Sequence, residues 1–282
     1  MNKVIISTDC VADLPEEARK RLHIPVMHYY ISTRKARFQD MFEMDSGALI
    51  DYIEAHEDFP RSSSASAEEY REYFLKLQKS APAGIIHISM AKNSSEGFQN
   101  ATEAARGMEQ VYVVDSGVLS SSVAILVLYA ADLSRRGCPL PVLLEAIEKK
   151  KKKLSSSFVV RDVEYMIRGG KMNEKIGDIV KGLRLQPLFM LKDSKIILQD
   201  FFLGGEKYYA RSYINYILRR QSTIDPSVLF ITTAGCTEAF QNWLCEEAKK
   251  KVKWDRIILQ PASATISCNC GPGSFGFLFA RK

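Results

Sequence analysis

The stretch "SCNCGPGSFG", residues 267–276, concentrates groups that could do chemistry. Cys268 and Cys270 stand one residue apart, just ahead of a Gly-Pro-Gly turn. A structural zinc site needs about four N or S ligands, usually from two paired clusters. The other cysteines, Cys10, Cys138, Cys236 and Cys245, are scattered, and His23, His28, His56 and His87 all lie in the first half without ligand spacing. A redox dithiol normally places two residues between its thiols. Cys268 and Cys270 therefore read as small residues before a turn, and no metal or other cofactor is expected. Gly271 and Gly273, on either side of Pro272, would let backbone come close to a ligand.

Serines form the second group. "RSSSAS" supplies Ser62, Ser63, Ser64 and Ser66; "SMAKNSS" supplies Ser89, Ser94 and Ser95; "DSGVLSSS" adds four more, beginning with Ser116. Hydroxyls on several loops can converge on an anionic head group, although serine also favours caps and turns for local reasons. No G-x-S-x-G elbow accompanies them, so a serine hydrolase is disfavoured. Neither GxxxxGK[ST] nor a GxGxxG after the first strand is present, which disfavours a nucleotide kinase or a dehydrogenase. Asp9, Asp13 and Asp115 follow strand-like runs. They could serve an enzyme acting on a small phosphorylated or acidic substrate, or simply cap helices and close turns.

These residues need a scaffold. The 282 residues are enough for two domains, and 46% hydrophobic with 26% charged residues is an ordinary globular balance. A net charge of +6 permits an acidic partner without pointing to nucleic acid. The opening apolar run is too short for a signal peptide, and no stretch has membrane-spanning length. Reduced thiols in a cytoplasm, without stable membrane insertion, are the expectation.

"KVIIST", "IPVMHYYIS", "GIIHISM" and "QVYVVDS" read as strands, with helices over "DLPEEARKRLH", "SGALIDYIEAHE", "SASAEEYREYFLKLQKS", "SEGFQNATEAARGM" and "SSSVAILVLYAADLSRRG". This alternation predicts a parallel α/β sheet, with ligands at the carboxyl ends of the strands. "LPVLLEAIEKKKKKLSSS" predicts a helix ending in lysines that complement its C-terminus. The serines after it suggest a domain joint, giving an α/β domain over 1–154 and an α+β domain over 155–282. In the second half, "LQPLFMLKDSKIILQDFFLGG" reads as paired strands turning at Asp193 and Ser194.

Several segments together resemble the DegV family of bacterial fatty-acid-binding proteins. "STDCVADLP" is similar to its opening TDSxxDLP, and "FPRSSSAS" to its P-x-TSQPS loop. "VVDSGVLSSSVAILVLYAADLSRRG" resembles the family's strand, DS loop and long helix. "FVVRDVEYMIRGGKM" resembles F-x-x-DLEYLxxGGR, and "SCNCGPGSFG" resembles HTGPGxxG. The five run in family order from residue 6 to residue 276.

The resemblance implies a two-domain fold, Rossmann-like in its first domain, with an apolar tunnel between the domains. The tunnel would enclose one long-chain fatty acid, and hydroxyls with an imidazole would hold its carboxylate. It implies a carrier rather than an enzyme, one that presents its lipid to a separate ATP-dependent fatty acid kinase. By position, Ser62 matches the family's carboxylate-binding threonine. Ser95 matches the serine of SSxLSGTYQSA, with Ser94 beside it. Asp9, Cys10, Ser63, Ser116, Gly271 and Gly273 fall in head-group loops. Cys10 stands for the serine of TDS. Arg168 and Lys171, around the GGR region, would meet a partner. Asn269 falls where the family has a histidine, and an amide cannot carry a positive charge near neutral pH.

Overall fold

A computed structural model of the chain describes residues 3–56, 58–80 and 82–282. The first half runs β1 (Val4–Asp9), α1 (Glu16–Leu22), β2 (Val26–Met27), β3 (Tyr30–Ser32), β4 (Arg37–Gln39), α2 (Ser46–His56), β5 (Arg61–Ser63), α3 (Ala67–Gln78), β6 (Gly84–Ser89), α4 (Gly97–Ala105), β7 (Val111–Asp115), α5 (Ser121–Arg135) and α6 (Leu140–Lys151). β2, β1, β6 and β7 pair in that order, all parallel. The central β6, "GIIHIS", is buried along its whole length, as a strand covered on both faces must be. The expected strand "IPVMHYYIS" is in fact two. It breaks at His28 and Tyr29, sending β2 to the parallel sheet and β3 to a small antiparallel sheet of order β4-β3-β5.

The second half runs β8 (Leu154–Val159), α7 (Glu164–Arg168), α8 (Glu174–Gly182), β9 (Gln186–Lys192), β10 (Lys195–Phe202), α9 (Glu206–Ile217), β11 (Ile224–Ala234), α10 (Glu238–Lys249), β12 (Ile257–Pro261), α11 (Ala264–Cys270) and β13 (Ser274–Arg281). Its sheet has the order β10-β9-β8-β13-β11-β12 and is antiparallel except between β11 and β12. The turn at Asp193 and Ser194 is present, both residues with positive φ, as a tight hairpin requires. Ser155, Ser156 and Ser157, at the expected joint, belong to a strand. They lie buried inside β8, where small side chains accommodate Phe279 and Phe277 on the paired β13.

α5 joins the halves. Its buried residues cover nearly the whole circumference, the mark of a helix without a water-facing side. It packs on β1 and β6 of one sheet and on β8, β11 and β13 of the other.

α11 was not foreseen, since the cysteine segment read as a turn. Ser263 caps it, accepting from Ile266 N at 3.3 Å. The Asp40 carboxylate accepts from Ala264 N and Thr265 N at 2.9 Å each, and Asp13 accepts from Ser263 N at 2.8 Å. Carboxylates at a helix N-terminus satisfy otherwise unpaired amides and oppose the helix dipole. Both acids come from the first half, so the helix carrying Asn269 is anchored across the two halves.

Candidate functional site

A cavity opens where β5, the loop before α4, α7 and α11 meet. Its inner chamber is narrow and apolar, with a cavity volume of about 80 Å³. Met90, Leu119, Phe158, Met166, Ile196 and Leu278 contribute to its walls. The outer mouth is polar and carries Ser62, Ser63, Ser64, Ser95 and Arg168. Met90, Ser94, Lys171, Thr265 and Asn269 line both spaces and so mark the passage between them.

At the mouth, Ser62 sits on β5, pinned opposite Ile31 in the small sheet. Asn269 Nδ2 donates to Ser62 Oγ and to the Thr265 carbonyl, each at 2.8 Å. Both amide hydrogens are thereby used, so Asn269 acts on a ligand through Ser62 rather than by donating to it directly. Ser95 Oγ accepts from Gly97 N at 3.2 Å and meets the Tyr29 hydroxyl at 3.0 Å. Ser94 Oγ is buried and has no hydrogen-bond partner among the described residues, a costly condition unless a ligand supplies one.

Lys171 was expected at a partner-facing surface, but its side chain turns into the passage. The chain folds back after α7, with Lys171 N bonded to the Met166 carbonyl, and Lys171 Nζ donates to the Ser94 carbonyl at 2.9 Å. Among the described residues it is the one charged side chain lining the inner chamber. Desolvation alone holds its ammonium below the ordinary lysine range. Arg168 stays at the rim, paired with Glu164 at 2.5 Å and stacked 3.9 Å over the Phe59 ring.

Several expected head-group residues line neither space. Asp9 is buried behind the site and accepts from Tyr70, His87 and Ser89 at 2.5, 3.1 and 2.6 Å. Cys10 is buried too, its thiol directed at Asp40. Ser116 closes a local turn with Val118. Gly271 and Gly273 have φ of 76° and 77°, and a Cβ on them would meet the Tyr165 ring at 2.4 Å and Arg161 at 2.5 Å. Their smallness serves packing, not ligand approach. Asp13 and Asp115 are likewise away from the cavity: Asp13 holds α11, and Asp115 accepts from Gly117 N, Lys92 N and Ser194 Oγ.

Cys268 reaches the mouth, its thiol donating to the Pro60 carbonyl at 3.0 Å. Burial, with the Asp40 charge second, pushes that thiol up to about 12, the reverse of a redox-poised cysteine. Among the described residues no cluster of three or more His, Cys, Asp or Glu could hold a metal. Nor, among them, is any helix long and apolar enough to cross a membrane.

The family model described as "Uncharacterised protein, DegV family" matches residues 3–282. The chain belongs to the DegV family. A DegV domain-containing protein of Halalkalibacterium halodurans is 25% identical to it over 278 residues, covering 98% of each chain. Two solved structures share the DegV fold. A DegV family protein of Thermus thermophilus, described as binding fatty acid, has a TM-score of 0.89 at 23% identity, covering 99% of this chain and 100% of that one. The Streptococcus pneumoniae Fatty Acid Kinase (Fak) B3 protein, loaded with linoleic acid, has a TM-score of 0.83 at 17% identity, covering 100% of both. Within the DegV frame, Tyr29 and the inward turn of Lys171 escape a sequence reading. Tyr29 is separated from Ser95 by 66 residues, and no local pattern links them.

Proposed function

We propose that this DegV protein is a carrier that binds one long-chain fatty acid. The acyl chain occupies the inner chamber as a tunnel between the two domains, and the carboxylate sits at the passage among Ser62, Ser94 and Ser95. Lys171 supplies the positive charge that Asn269 cannot. One observation carries the reading: a narrow apolar chamber ends on hydroxyls and a single ammonium that has no ion-pair partner among the described residues. Such a site suits an amphiphile with a negative head. Each buried methylene contributes about 0.8 kcal/mol, so the chain dominates affinity and the polar end fixes orientation.

The head group would face the open mouth, where a separate ATP-dependent kinase could reach it. The protein itself then does no bond chemistry. The competing enzyme reading rests on Asp9, Asp13 and Asp115, which are engaged in buried or turn-closing hydrogen bonds away from the cavity. Lipid extraction of untreated protein followed by mass spectrometry tests the proposal. Stoichiometric acyl chains are expected. Protein that is repeatedly empty, and stays empty when offered fatty acids, would overturn it.

A further inference from the structure

At the floor of the mouth, whose lining includes Tyr29 and Ser95, lies a buried set of hydroxyls. Tyr29 is 1% exposed, and its hydroxyl lies 3.0 Å from Ser95 Oγ. Gly97 makes that reach feasible: a Cβ there would stand 1.8 Å from the Tyr29 hydroxyl oxygen. The neighbouring Tyr70 spends its proton on Asp9. Burial, then the Asp9 charge, raises the Tyr29 phenol well above its ordinary value, so Tyr29 keeps its proton.

A serine oxygen has two lone pairs and one proton. At Ser95 one lone pair takes the Gly97 amide hydrogen. If the other takes the Tyr29 proton, the Ser95 proton is left for the cavity. We propose that Tyr29 is a positioning residue that commits the Ser95 hydroxyl as a donor, so that the head-group site selects an acceptor-only carboxylate over an alcohol. This rests on the fatty-acid reading and narrows it to the ionised acid. Tyr29 also lines the floor of the mouth, and the role assigned to it is exercised through Ser95.

The test compares delipidated wild type with Tyr29→Phe, titrated with a long-chain fatty acid and with the primary alcohol of equal chain length. An alcohol head can donate or accept and is indifferent to the direction of Ser95. A merely structural role would weaken both ligands equally. Tyr29→Phe is expected to lower the acid-to-alcohol affinity ratio roughly three- to tenfold, the size of one hydrogen bond to a charged partner or less. Gly97→Ala, which displaces the same hydroxyl, should lower it too and serves if Tyr29→Phe fails to fold. An unchanged ratio in both variants overturns the proposal. A raised ratio also overturns it, because Ser95 would then have been donating to Tyr29. Wild type that takes up neither ligand overturns the fatty-acid reading itself, and is distinguished by needing no variant.

Discussion

Asn269 Nδ2 donates to Ser62 Oγ at 2.8 Å, joining residues 207 apart in the chain. The amide thus holds the Ser62 hydroxyl for a ligand, the part of an imidazole's task that needs only a donor. Asn269→Leu should leave Ser62 free to rotate and weaken fatty acid binding roughly three- to tenfold. Asn269→His, which can donate from a ring nitrogen, should bind at least as well as wild type. Equilibrium titration of delipidated protein checks both.

Lys171 is the charge in the passage. Lys171→Met should reduce affinity for a fatty acid more than for a fatty alcohol. Burial lowers the amine's pKa in the free protein, and a carboxylate beside it would raise it again. Binding then takes up a proton in the alkaline range. Affinity is full below the free-protein pKa and falls as pH rises past it. Titrations across that range should show the decline in wild type and its absence in Lys171→Met.

Asp13 links pH to stability. Burial, with the Asp40 charge adding, raises its carboxyl from the ordinary value to about 7. Between the unfolded value near 3.8 and that raised value, the folded protein holds a proton that the unfolded chain has lost. The associated stability is fully present below the lower value and is lost as pH rises through the upper one. Denaturant unfolding should therefore show a loss of order a few kcal/mol across this window. Asp13→Asn should flatten the profile.

Ala262 lines the inner chamber and is 5% exposed. In wild type, each added methylene should tighten binding about fourfold, the equivalent of roughly 0.8 kcal/mol, until the chamber is full. Ala262→Leu should bring that plateau to shorter chains while leaving the cost of Lys171→Met unchanged. A chain-length series of competitors measures it.

Much of the scaffold is legible because it is local. "VIIST" and "GIIHIS" are mostly apolar runs ending in polar residues, and the glycine after "LSRR" stops α5. What escapes is set at long range. "ATISCNC" has weak helix-forming character and becomes α11 because Asp13 and Asp40, some 225 to 250 residues earlier, bind its first amides. Ser62 and Ser95, picked out by positional resemblance to the family, line the mouth. Asp9 and Cys10 lie behind it, because the start of a loop after a buried strand is itself buried. Lys171 looks like a surface lysine until the turn after α7 points it inward.

The central claim is that an acyl chain is held with its carboxylate at the Ser62–Lys171 passage. Titrating delipidated wild type and Lys171→Met with one saturated long-chain fatty acid tests it most directly. The account predicts saturable one-to-one binding by wild type and clearly weaker binding of the acid by the variant. Absence of saturable binding by wild type, or equal affinity in the two proteins, would contradict it.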